Sequence, residues 1–177
     1  MSIVTAFSSP NKENGYLSQW WKCKFVDQGY EFSSVGQYIA WYKAVTFNQL
    51  HAAQMILGND DKLPIRRIER SAGLKDWDRY DIVYRANKLK FSQNPDLLAR
   101  LIATGNNIIG YISRCDMKWG TGSEAKIYYN RWKGQNLLGR ILMDVRRDLQ
   151  STLYAGQTIP YNKIYSNAVY LSDSIYM

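Results

Sequence analysis

Asp116 stands three residues ahead of Trp119, and two glycines, Gly120 and Gly122, follow at once in the run SRCDMKWGTG. A lone carboxylate beside an indole, on a loop whose glycines let a ligand approach the backbone, is the make-up of a pocket wall. The chemistry open to it is that of a carboxylate oxygen: positioning or activating water, or facing positive charge as it develops on a substrate. The same Asp suits a plainer use, accepting turn amides ahead of a glycine-rich bend. Gly120 and Gly122 likewise serve either as turn residues or as a place where backbone N–H groups meet an anionic ligand. Trp77 lies between Asp76 and Asp78, an odd setting for a purely buried ring. Trp20 and Trp21 are adjacent, so one can enter the core while the other lines a cavity. Trp20, Trp77 and Trp119 are therefore the candidate walls for a stacked base or a sugar face.

A net charge of +8 and a pI near 9.4 favour anionic partners, such as phosphates, nucleotides or nucleic acid, over a neutral substrate. Arg66, Arg67, Arg79, Arg85, Lys88 and Lys90 are the residues that can gather into an electropositive surface, with plain solvated decoration of two helices as the alternative. Cys23 and Cys115 are far apart with no CxxC partner, and His51 is the one histidine, so no zinc site, disulfide framework or histidine triad is signalled. With 46 % hydrophobic and 14 % aromatic residues among 177, the chain can bury a core without disulfide or metal staples. The opening MSIVTAFSSPNK has no basic start leading into a long apolar core, and no apolar run reaches membrane-spanning length, so the chain reads as soluble and cytoplasmic.

The elements that must position these residues follow from periodicity and punctuation. Leu137, Leu138, Ile141, Leu142 and Val145 recur at helical spacing, which predicts a buried helix from Asn136 to about Leu153 that braces the Asp116 loop. Ile108 to Ser113 is β-branched enough for a strand leading into that loop. Residues 1–15 read as an N-terminal loop, and FSSPNKENG is turn chemistry. A hairpin is predicted over about residues 20 to 32, turning at Gln28-Gly29. Ser33 and Ser34 offer an N-cap for a helix through Phe47, and a second helix from Asn48 to Leu57 is closed by Gly58 and the GNDDK turn. Pro64 opens a short basic helix stopped by Gly73, Trp77 to Lys90 is amphipathic, and Asn94-Pro95 starts a helix that ends at Thr104-Gly105. Residues 154–177 show no clear period and read as an irregular appendage. The result is one mainly α domain over residues 16–153.

Several of these stretches together resemble the NADAR domain, also called the YbiA-like family. They are KFSQN from Lys90, ATG from Ala103, DxxWGxG from Asp116 to Gly122, and WxGxNLLGxxLMxVR from Trp132 to Arg146. GYEFSSVGQYIAWYKAV looks like that family's first helix, and LSQWW occupies the place of its LSNFY-type stretch. The resemblance covers roughly residues 16 to 150 in the family's order and spacing. It implies a mainly α fold with a small antiparallel β element, and an N-glycosidase that needs no metal or cofactor. The activities known in such proteins are hydrolysis of phosphorylated riboflavin-pathway intermediates and removal of ADP-ribose from guanine bases in nucleic acid. The implied ligand is thus an ADP-ribosyl or ribosyl-phosphate group.

The family's functional residues carry over unevenly. Its motif Asp matches Asp116, the Trp ahead of its central helix matches Trp77, and the Lys late in its first helix matches Lys43, which pattern alone would read as a snorkelling side chain. Its catalytic Glu does not match, because Gly36 stands at that position. Glycine can neither stabilise a ribosyl cation nor orient water, and it weakens a helix by about 1 kcal/mol relative to Ala. The resemblance therefore implies impaired catalysis. Three readings of the glycine stand: a glutamate exchanged so as to trap ligand, a binder that has given up catalysis, or slow chemistry by Asp116 alone. Most other motifs are intact, which favours the first.

Overall fold

The structure, a computed structural model, describes residues 4–74, 77–124 and 131–155. Asp76, the interval 125–130 and the chain beyond 155, where the irregular appendage is predicted, lie outside the described residues.

The N-terminal stretch is the first departure from the pattern. Val4–Phe7 is a strand, β1, where the sequence predicts loop. Its partner is β4, Ile108–Tyr111, and the two run parallel in register from Val4 opposite Ile108 to Phe7 opposite Tyr111. Four residues are too few to show a period, and a parallel partner this distant leaves no local sign. The predicted hairpin is present but shorter: β2, Phe25–Asp27, pairs antiparallel with β3, Tyr30–Phe32, around Gln28 and Gly29, both at positive φ. Trp20 and Trp21 precede it in irregular chain.

A 3-10 turn at Gly15–Leu17 and six α-helices make up the rest of the described regular structure: α1 (Val35–Thr46), α2 (Leu50–Leu57), α3 (Lys62–Ser71), α4 (Tyr80–Ser92), α5 (Pro95–Ile102) and α6 (Leu137–Tyr154). Ser34 caps α1 by accepting the Gln37 amide at 3.1 Å, and Pro95 opens α5 with its fixed φ. α3 begins earlier than the Pro64 signal indicates, and α4 begins at Tyr80, so Trp77 lies ahead of the helix and not in its first turn. Among the described residues, no helix is long and apolar enough to cross a membrane.

The core falls into two apolar clusters. One gathers Phe7, Leu17, Val83, Leu101, Ile109, Trp119 and the α6 stripe of Leu138, Ile141, Leu142, Val145 and Leu149. The other gathers Phe25, Phe32, Val35, Tyr38, Trp41, Ile56 and Ile65. α4 serves both, giving Val83 and Phe91 to the first and Ala86 and Leu89 to the second. Each fully buried aliphatic contributes about 1.5–3 kcal/mol, so α6, with Ile141, Leu142, Val145 and Leu149 wholly inside, is anchored firmly.

Candidate active site

Where the two clusters meet, a cavity of about 620 Å³ opens, a size suited to a small-molecule ligand. Phe7, Tyr111, Trp119 and Leu138 line it from the first cluster's side, and Trp20 from the second. Trp21, packed against the first cluster, lines it too, so the adjacent tryptophans split between the two cores yet both face the cavity. The polar lining includes Asp116, Lys22, Asp60, Asp61, Lys62, Arg66 and Arg79. Among the described residues, no group of three or more His, Cys, Asp or Glu is placed to hold a metal ion.

The Asp116 wall is built from backbone bonds. One carboxylate oxygen, Oδ1, accepts the amides of Trp119 at 2.7 Å and Lys118 at 3.2 Å, which is the turn-capping use. Oδ2 makes no hydrogen bond to any described residue, so one oxygen shapes the loop while the other remains for a ligand. The loop then sits on the start of α6. Leu137 and Leu138 donate their amides to the carbonyls of Lys118 and Trp119 at 3.2 and 3.1 Å, satisfying N–H groups that a helix start leaves open. Asn136, buried and left-handed at φ 51°, accepts the Tyr111 amide at 3.0 Å and donates to the Ile109 carbonyl at 2.9 Å. That side chain ties the start of α6 to β4, while the Asn136 backbone amide donates to the Gly120 carbonyl of the loop at 2.9 Å.

The opposite wall, residues 18–22, is irregular and held differently. Lys90 of α4 is fully buried, and its Nζ donates to the carbonyls of Tyr16 at 2.6 Å and Ser18 at 3.0 Å. No carboxylate among the described residues pairs with it, and burial pushes its ammonium down to about 8. Gly36 at the start of α1 donates its amide to the Gln19 carbonyl at 2.7 Å. The next residue, Gln37, reaches the other way. Its buried Nε2 donates to the carbonyls of Ile56 at 3.1 Å and Asn59 at 2.7 Å, which fixes the turn carrying Asp60, Asp61 and Lys62 to the cavity.

Charge around the cavity is mixed, with four cations and three carboxylates in the lining. Lys22 bridges to Asp60 at 3.1 Å and Asp61 at 3.0 Å, which neutralises much of that corner. Lys62 stands 6.0 Å from the Trp20 ring centroid, and the Arg79 guanidinium lies 4.9 Å over Trp119. The sequence-level electropositive surface is thus corrected in part. Arg66 and Arg79 reach the cavity, but Lys90 is buried, Arg85 pairs with Asp27 at 2.9 Å, and Lys88 leans on Tyr84 and Asp148. A cation on an amphipathic helix reads as solvated unless its distant carbonyl or carboxylate partner is known.

The family model of the NADAR domain matches residues 6–150. This chain belongs to the NADAR family. An N-glycosidase of Acanthamoeba polyphaga mimivirus is 38 % identical to it over 148 residues, covering 76 % of this chain and 87 % of the viral protein. A riboflavin biosynthesis protein of Vibrio vulnificus is 30 % identical over 165 residues, covering 89 % of this chain but 40 % of that protein. The NMR structure of Escherichia coli YbiA shares the fold, with a TM-score of 0.68 at 19 % identity over 86 % of this chain and 88 % of that one. The mainly α architecture with a small antiparallel β element is therefore the NADAR fold.

The residues that the NADAR resemblance points to are only partly brought together. Asp116, Trp119 and Trp20 share the cavity. Gly36 adjoins it from behind Trp20, whose ring occupies the space a side chain at position 36 would need. Lys43 does not line the cavity; its Nζ is buried 3.7 Å from Glu69 Oε1 on α3. Trp77 stacks on Tyr42, centroids 6.3 Å apart and planes 15° from parallel, away from the lining. Gly120 and Gly122 serve packing: a Cβ on Gly120 would come 2.9 Å from the Asp116 carbonyl, and Gly122 has φ +63°. Ser8, Ser9, Asn11, Asp60 and Asp61 line the cavity although the sequence marks their stretches only as turns. Their signal was the turn chemistry itself, since loops placed by a rigid frame are where ligands are met.

Proposed function

We propose that this chain is an N-glycosidase acting on ADP-ribose joined to a nucleobase, at a rate kept low by the glycine at position 36. The observation that carries the reading is Asp116, with one oxygen locked into the loop and the other unclaimed on a cavity walled by Trp20 and Trp119. In the reaction the bond from the anomeric carbon to the base nitrogen breaks as water adds to that carbon; the base keeps the bonding pair and takes up a proton. Positive charge grows on the ribose, and the Asp116 carboxylate faces it or orients the water. Lys62, Arg66 and Arg79 are the cations that hold phosphate here, in place of Lys43. ADP-ribosylated nucleic acid is favoured by the net charge of +8 and by exposed Arg66, Arg67 and Arg70 along α3, which continue the cavity's cations outward.

A second reading, hydrolysis of a riboflavin-pathway ribosyl phosphate, is supported by the naming of the Vibrio relative and of a Zea mays relative as riboflavin biosynthesis proteins. The two separate in one experiment. Incubation with an ADP-ribosylated oligonucleotide releases free ADP-ribose slowly, with a rate that falls steeply as salt is raised. Turnover of a free pyrimidine ribose phosphate, insensitive to salt, would favour the second reading. Gly36→Glu in a Trp20→Ala background, where the indole no longer fills the space, raises the rate constant for release; no gain there would remove the glycine as the cause of slowness.

A further inference from the structure

We infer that Gly36 and Trp20 form one unit, a seat and the flat platform resting on it, and that this platform selects ligands bearing a planar conjugated ring. The inference rests on the cavity's being the ligand site, as proposed above, and is independent of whether the ligand is turned over. A Cβ placed on Gly36 would lie 2.6, 2.6 and 2.7 Å from Cδ2, Cε2 and Cζ2 of Trp20. Three bonded ring atoms at so nearly one distance put that point over the face of the indole and not beside its edge. The ring therefore lies flat on the first turn of α1. Real Cβ atoms do not approach carbon so closely, so any side chain at position 36 tilts the indole off the helix.

Trp20 lines the cavity, and with one face against α1 it is the opposite face that remains for a ligand, with the Lys62 ammonium 6.0 Å from the ring centroid. A flat ring stacked there meets an indole and a cation, a pairing suited to a base carrying nearby phosphate. The backbone holds the platform in place through Gly36 N–H on the Gln19 carbonyl at 2.7 Å and Trp20 N–H on Ser18 Oγ at 3.2 Å. Glycine is a poor residue for a helical turn unless its missing side chain is needed, and here the indole needs it. Gly36 is on this account a working part of the site.

The test uses Gly36→Ala, which adds one methyl group and no chemistry, with two calorimetric probes. ADP-ribose carries a planar ring; ribose 5-phosphate carries ribose and phosphate without one. Gly36→Ala and Trp20→Ala each weaken ADP-ribose about tenfold and leave ribose 5-phosphate within about twofold. Gly36→Ala has no further effect once Trp20 is alanine. Unchanged ADP-ribose affinity, equal losses for both probes, or additive losses would overturn the platform alone. Binding of neither probe by the unaltered protein would overturn the cavity as ligand site and the inference with it. A readout without ligand stands apart from both: in 5-fluorotryptophan-labelled protein, the fluorine resonance assigned by Trp20→Phe shifts in Gly36→Ala, and an unmoved resonance would overturn the seat.

Discussion

The two walls of the cavity face one ligand space but are built on different principles. The Asp116 wall is stitched by successive backbone bonds to the start of α6, and by Asn136 to β4, so its shape is fixed by a ladder of bonds to two regular elements. The Trp20 wall is an irregular segment kept in place by a buried ammonium on α4 and by a glycine on α1. One wall presents a carboxylate in a rigid frame; the other presents a flat ring whose pose depends on what is absent behind it. On the proposed function, chemistry and recognition are divided between a fixed side and a tunable side.

The sharpest way to break this comparison is to loosen the fixed wall. Asn136→Ala removes two hydrogen bonds from a buried site and puts a Cβ-bearing residue without a polar side chain at φ 51°. A loss of about 3 kcal/mol is expected by urea denaturation, with ligand affinity falling alongside. A loss under about 1 kcal/mol would mean that the wall does not rest on this residue.

The tunable wall has a pH signature. The Lys90 pKa in the folded chain is depressed from 10.5 to about 8, so between those values the unfolded chain binds the extra proton and stability rises with pH. From pH 7.5 to 9.5 the expected gain is about 2 kcal/mol. The Cys23 thiol, raised by burial, acts with the opposite sign as pH passes 9, so the lysine's share is read from the difference between the protein and Lys90→Met. Equal pH slopes in the two would show that the ammonium is not desolvated as described.

Smaller effects sharpen the assignment of roles. Gln37→Met is expected to cost about 1–2 kcal/mol and to weaken phosphate-bearing ligands, because the turn carrying Lys62 loses its tie. Arg66→Ala is expected to raise KM several-fold, whereas Lys43→Met, which disrupts a pair with Glu69 outside the cavity, leaves KM within about twofold. A larger rise for Lys43→Met would return that residue to the ligand.

The sequence made the fixed wall legible and the tunable wall much less so, for a physical reason. The α6 stripe has helical period, and the DxxWGxG run announces a tight loop, so both could be read locally. Ser34 as cap, Pro95 as helix opener and Gln28-Gly29 as turn were also readable, because each acts on its nearest neighbours. Lys90 looks solvated on its helix, since the carbonyls it serves are 74 and 72 residues away. Gly36 reads only as a missing acid in the sequence, because the indole that lies on it comes from 16 residues away. β1 is hidden for the same cause: its partner among the described residues is β4, about 100 residues on.

In the proposed reaction the free oxygen of Asp116 meets the anomeric carbon or its water. Asp116→Asn tests it most directly, because the amide oxygen can still accept the Trp119 and Lys118 amides and so preserve the loop. With ADP-ribosylated oligonucleotide, the unaltered protein is expected to release ADP-ribose measurably, and Asp116→Asn to lower the rate constant at least about 100-fold at unchanged thermal midpoint. Release by Asp116→Asn at the parent rate, or none by the parent beyond the uncatalysed rate, would contradict it.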